Sequence, residues 1–328
     1  MDCLYTRDLL NEVFSRLTDY GDLIVCSSVC KAWRNTIEHV SPACLIIPGG
    51  RYQMTSTWPA MQWLQCKHKQ DHFSKLRSLK IELWSAFEGV CETDEVSHFG
   101  QSVMLLAGLW QLQHCHLRGA IDVAIAAHIL PSCLKTLYLR PDRSHMPRAL
   151  ELSIFQRFAA LQSLVLDICN EQFWRSLPQP SSEAVYKLDV GFPSLTHLYL
   201  GVWRLQFPQH CSLTACLPNV CHLVAHVDIV DAAKLLALTS INYLGLVFSN
   251  TDFLHARAHA HVLTVPKHSQ LMKLETYEPE TCMISVDVQK PGLELRCSKI
   301  YGINASIHHV GSDKYKSVLN FPELTEME

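Results

Sequence analysis

The chain has 328 residues, more than one hydrophobic core usually absorbs, so two domains or one elongated repeat body are expected. Apolar residues make up 48% and charged residues 18%, a balance that excludes a disordered chain. The formal net charge is -3 with both signs interspersed, so there is no basic field for a phosphate backbone and nucleic acid is not an expected partner.

The opening residues MDCLYTRDLLNEVF put acidic side chains where a secretory signal needs an apolar core, and they lack the Arg-rich character of a transit segment. Apolar runs such as 103–110 and 121–130 stop well short of the roughly 20 residues that span a bilayer, so no membrane segment is expected. The 14 cysteines include no CxxC pair and read as small buried apolar residues of a reduced, cytoplasmic or nuclear protein.

Leu9, Leu10, Val13, Phe14 and Leu17 recur at helical spacing and predict a first helix, with Thr6 as its cap. A break at Tyr20-Gly21 follows, after which Asp22 is placed to cap a second helix carrying Leu23, Ile24 and Val25. A third helix starts near Lys31 and carries Trp33, Ile37 and Val40. Three short helices bury little surface, so the unit calls for a partner or a neighbouring domain.

The run DLLNEVFSRL at 8–17, then Asp22-Leu23, then SVCKAWR at 28–34, resembles an F-box. The family's usual Leu-Pro before the first helix is Tyr5-Thr6 here, which removes a proline that fixes the helix entry. The resemblance implies docking on a Skp-type adaptor, and through it on a cullin and a RING subunit. It assigns the docking surface to Tyr5, Leu9, Leu10, Val13, Phe14, Leu17, Leu23, Val29, Trp33 and Arg34. The alternative is that these apolar residues are only the interior of a small bundle, and Leu10 and Phe14 alone stand evenly between the two roles.

Beyond a strand expected at 44–47, one phrase recurs: apolar, two variable positions, apolar, one variable position, apolar. It reads Leu76, Leu79, Ile81; Leu112, Cys115, Leu117; Leu134, Leu137, Leu139; Leu161, Leu164, Leu166; and Leu195, Leu198, Leu200. Weaker copies are Val220, Leu223, Ala225; Ile241, Leu244, Leu246; and Leu271, Leu274, Thr276. Helix-compatible stretches at 59–67, 122–129 and 231–238 lie between them. The pattern resembles the leucine-rich repeats of F-box proteins, without the Asn or Cys that usually ends each phrase. The expected fold class is therefore α/β: a three-helix F-box over 1–44, an irregular leucine-rich repeat solenoid with a parallel sheet and outer helices over 45–310, and a cap or tail over 311–328. A globular α/β domain whose strands happen to read this way is the alternative.

Strand alternation turns the phrase leucines to the core and the residues between them to an open face. That face would carry His116, Arg118, Tyr138, Arg140, His197, Tyr199, His222, His226, Tyr243 and Tyr277. Tyrosine and arginine are frequent at binding hot spots, so an unidentified protein substrate is the expected ligand, with an ordinary solvated sheet face as the alternative.

Cys211, Cys216, Cys221, His222 and His226 cluster in sequence, but intervals of five are not zinc-knuckle spacing. His255, His259 and His261 lack an accompanying carboxylate motif, and the chain has no P-loop, GxGxxG or GxSxG signature. No metal, cofactor or catalytic residue is expected. The resemblance implies a non-catalytic substrate receptor of an SCF-type ubiquitin ligase. An F-box scaffold without a degradative role is one alternative, and a hydrolase or small-ligand domain with a fortuitous box is another.

Overall fold

The computed structural model describes residues 7–37, 42–47, 75–83, 106, 109–119, 121–141, 149–167, 185–207, 212–248, 261–267, 269–279 and 284–300. Within these the chain is mixed α/β, with N-terminal helices followed by a largely parallel sheet. The expected helix at 59–67, the Thr6 cap, Val40, the His255 and His259 stretch and the segment after 310 lie outside the described residues. No described helix is long and apolar enough to cross a membrane. The described residues fall into two compact units, divided between His145 and Met146.

The first unit opens with α1 (Arg7–Ser15), α2 (Tyr20–Val29) and α3 (Lys31–Ile37). Asp19, not Asp22, caps α2: its carboxylate accepts from Gly21 N at 2.6 Å and Asp22 N at 3.4 Å. Tyr20 and Gly21, read from the sequence as a break, are the first turn of that helix, because the cap stands one residue before them. The bundle interior is built from Leu10, Phe14, Tyr20, Leu23, Thr36 and Ile37. The Trp33 ring meets Phe14 edge-on, with centroids 5.2 Å apart.

Strands β1 (Cys44–Ile47), β2 (Ser78–Leu83), β3 (His114–Gly119) and β4 (Thr136–Pro141) follow. They pair in parallel, with Cys44 opposite Ser78, Ser78 opposite His114 and His114 opposite Thr136. Ile46 N donates to Thr18 O at 2.8 Å, tying β1 to the turn before α2. Parallel strands need a crossover, and between β3 and β4 it is α4 (Val123–Ile129), capped by Asp122.

The second unit contains β5 (Ala149–Glu151), a 3-10 turn (Leu152–Phe155), β6 (Ser163–Leu166), β7 (Val185–Lys187) and β8 (His197–Gln206). Next come α5 (Leu213–Cys216), β9 (His222–His226), α6 (Ile229–Leu236), β10 (Tyr243–Val247), β11 (His261–Val265), β12 (Lys273–Pro279), β13 (Ile284–Val288) and β14 (Glu294–Ile300). The parallel order is β6-β8-β9-β10-β12-β14; β7 joins β5 to the far end of β8, and β11 pairs with β13. Helix α6 begins two residues before the expected 231, because Asp228 caps it by accepting from Asp231 N at 2.7 Å.

The eight apolar phrases fall on eight strands. Their second and third positions are closed to solvent, from Leu79 and Ile81 on β2 to Leu274 and Thr276 on β12, and each first position is buried just before its strand. One backbone device sets the register. At several strands the carbonyl preceding the strand receives two N–H donors from the entry of the next: Arg77 O from Gln113 and His114, Gln162 O from Thr196 and His197, Thr196 O from Cys221 and His222, and Cys221 O from Asn242 and Tyr243. Equivalent residues of adjacent strands therefore stand side by side, and their side chains form rows across the sheet.

Candidate functional site

The helical bundle exposes apolar side chains where water would normally be faced by polar ones. Leu9 and Val13, four apart on α1, are 41% and 48% exposed; Val25 and Val29, four apart on α2, are 65% and 59% exposed, with Ile24 beside them at 46%. Side chains four apart share a helix face, so each helix presents a short apolar strip. Leu10, Phe14 and Leu23 turn inward and support these strips from beneath. Leu17 and Trp33 are half-buried, and Arg34 is exposed with its Nε donating to Ser27 O at 3.3 Å. Tyr5 lies outside the described residues. Ile24 and Val25 were missing from the sequence-derived surface because a period read along α1 says nothing about which side of α2 stays open.

In the first unit, the row Lys80, His116, Tyr138 lies beside the row Glu82, Arg118, Arg140. The His116 and Tyr138 rings are 4.0 Å apart. Glu82 faces Lys80 at 3.8 Å and Arg118 at 4.0 Å. His116 Nε2 is enclosed and makes no hydrogen bond among the described residues. Burial, followed by the Lys80, Arg118 and Arg140 charges, pushes the His116 imidazole from its usual 6.5 down to about 3.

A folded-state value below the unfolded one means that the unfolded chain takes up the proton first. The stability His116 lends as a neutral ring is thus complete above about 6.5 and is lost as pH falls toward about 3. Each unit of pH in that window is worth at most about 1.4 kcal/mol. We expect His116→Gln to flatten the difference in urea-unfolding free energy between pH 7 and pH 4, relative to the unsubstituted chain, by a few kcal/mol. Equal slopes for the two proteins would contradict the enclosure of His116 Nε2.

In the second unit, the row His197, His222, Tyr243, Lys273, Glu294 crosses five strands. The His197 and His222 rings stack at 4.5 Å and 13°, His222 lies 5.9 Å from Tyr243, and Lys273 Nζ sits 5.7 Å from the Tyr243 ring. Tyr243 donates its hydroxyl to Glu275 Oε2 at 2.8 Å, and Lys273 pairs with the same carboxylate at 3.2 Å. Burial, then the Glu275 carboxylate, hold the Tyr243 phenol above its usual range.

The expected open face is only partly open. His116, Arg118, Arg140, His197, Tyr199, His222 and His226 are half-buried, whereas Tyr138 and Tyr243 are buried, each flanked by rings or charges on neighbouring strands. Ser163, Val165 and Asp167 on and after β6 are also buried, so that strand is closed on both faces. Tyr277 falls in β12, and its side chain lies outside the described residues. Of the cysteine and histidine cluster read from the sequence, Cys216 is buried at the end of α5 and Cys211 lies outside the described residues. Cys221 and His222 instead meet His197 from the adjacent strand, a group the sequence hid because its third member lies 24 residues earlier.

No curated protein matches this chain. Residues 6–44 match the F-box domain family, and since the match runs from α1 to the first residue of β1, it supports reading the three N-terminal helices as an F-box with an SCF-type adaptor-binding role.

Proposed function

We propose that the chain is the substrate-recognition subunit of an SCF-type ubiquitin ligase. The F-box docks a Skp-type adaptor, which brings in a cullin and a RING subunit, and residues 45–310 form a leucine-rich repeat body whose strand rows hold a protein target. The observation that carries this reading is the pair of exposed apolar strips, Leu9 with Val13 and Ile24, Val25 with Val29, within the residues matched to the F-box. Exposed apolar side chains at i and i+4 on a short helix suit a partner that covers them. The recurrent phrase on successive parallel strands supports the repeat body, because stacked units expose a row-bearing sheet face.

A receptor of this kind needs no catalytic residue of its own: it raises the local concentration of a target near a charged conjugating enzyme. The test is affinity purification of the full chain in parallel with a form lacking residues 1–44, before and after cullin inhibition. A receptor retains the adaptor only when 1–44 is present, retains a target in both forms, and shows that target rising on inhibition. Retained partners whose levels do not respond would indicate a scaffold, and absence of the adaptor would sink both readings.

A further inference from the structure

From the geometry at the entry of β8 and β9 we infer that His197, Cys221 and His222 form a binding site for a zinc-class divalent cation. One donor atom from each residue lies within 4.8 Å of the others, and all three residues are partly open to solvent. Around a tetrahedral zinc ion, bond lengths near 2.0 and 2.3 Å place a nitrogen and a sulfur about 3.5 Å apart. Cys221 Sγ and His222 Nδ1 are already 3.2 Å apart. The His197 donor lies within 4.8 Å of both, a separation that side-chain rotation can close.

The surroundings orient these donors. Thr196 Oγ1 lies 2.9 Å from Gln162 O and 2.8 Å from His197 Nδ1. The hydroxyl has one proton, so both contacts are hydrogen bonds only when Thr196 donates to the carbonyl and His197 Nδ1–H donates to Thr196. That arrangement leaves Nε2 of His197 with the lone pair that a cation needs, and a ligating histidine commonly has this kind of outer partner. On its other side, the His222 ring is backed by Tyr243 at 5.9 Å.

Each lone pair lies in the plane of its ring, so the stacked His197 and His222 rings must tilt for both to reach one ion. On binding, the Cys221 thiol gives its proton to solvent, and the thiolate completes a donor set of two imidazole nitrogens and one sulfur. Thiolate with imidazole suits zinc over magnesium or calcium. Three protein donors leave the fourth position for water or for a carboxylate or imidazole of a docked protein. That last use rests on the target-binding reading of this face, but the ion site does not.

The test uses the full chain titrated with Co2+ as a spectroscopic stand-in for zinc. The expected result is the visible band of a four-coordinate ion together with a thiolate-to-cobalt charge-transfer band. Cys221→Ser should abolish the charge-transfer band. His197→Gln should weaken zinc competition at least about tenfold, and Thr196→Val, which removes only the outer partner, about tenfold. His226→Gln, on the same strand but outside the cluster, should leave binding unchanged. A charge-transfer band of equal strength in Cys221→Ser would overturn the assignment. In the unsubstituted chain, zinc should slow maleimide labelling of Cys221, read at its peptide by mass spectrometry, and a chelator should restore it. An unchanged labelling rate would overturn the site without dependence on how any variant folds.

Discussion

Val25→Glu and Val29→Lys, made singly in the full chain, are each expected to weaken binding of a Skp-type adaptor at least about 30-fold, or about 2 kcal/mol, while leaving thermal unfolding nearly unchanged. Both side chains are more than half exposed, so neither substitution opens a cavity. Glutamate is a good helix former in mid-helix, and a lysine at Val29, the last residue of α2, complements the negative end of the helix dipole. Stability effects are thereby held to a few tenths of a kcal/mol, and any large loss belongs to the interface. Opposite signs of charge make the pair informative. If both weaken binding, the cause is desolvation of an ion at an apolar contact; if only one does, the partner surface is charged and the strip is not the main anchor. Calorimetric titration with purified adaptor measures the effect, and wild-type affinity in both variants would remove the observation on which the functional reading stands.

The division between what the sequence discloses and what it hides follows from local and non-local physics. A parallel strand buried on its core face must place apolar residues at alternate positions, so Leu137 and Leu139, or Leu198 and Leu200, announce their strands without any knowledge of neighbours. Strands β5, β7, β11 and β13 carry no such phrase. The existence of β5 and β7 depends on pairing partners, as when Val185 meets Arg204 at the far end of β8, and no local pattern encodes that; β13 does alternate, with Ile284, Val286 and Val288, but outside the phrase. The open face has the same limit. Alternation names Tyr138 and Tyr243 correctly as belonging opposite the leucines, but whether such a residue meets water depends on adjacent strands: His116 encloses one, and His222, Lys273 and Glu275 enclose the other. The His197, Cys221 and His222 group arises from register between strands, while the cluster visible in sequence was spread along one segment. On the helices, the F-box string was legible as a motif, yet the inward turn of Leu10, Phe14 and Leu23 and the exposure of Ile24 and Val25 emerge only from how α1, α2 and α3 pack.

Phe14→Ala should destabilise the helical bundle by about 3 to 5 kcal/mol, the cost usual for truncating a buried phenylalanine. Phe14 is 1% exposed and takes the edge of Trp33, so its removal empties the centre of three helices that have few other large side chains to close the gap. A unit of this size rarely gains more than about 3 to 5 kcal/mol from its core, so the loss is comparable with everything holding it together. Hydrogen exchange should then show the amides of α1 to α3 losing protection, while those of β8 to β10, in the other compact unit, keep theirs. Adaptor binding should fall as well, although Phe14 is not on the exposed strips. Saturating adaptor should restore protection, since a partner that binds only the folded bundle pulls the equilibrium back. That rescue separates a supporting residue from a contact residue: Val25→Glu loses affinity with the bundle intact, whereas Phe14→Ala loses it through unfolding, and Phe14→Leu should fall between Phe14→Ala and the unsubstituted chain. Full protection in Phe14→Ala with binding lost would mean that the ring is itself grasped by the partner, and the inward packing described for it would be wrong.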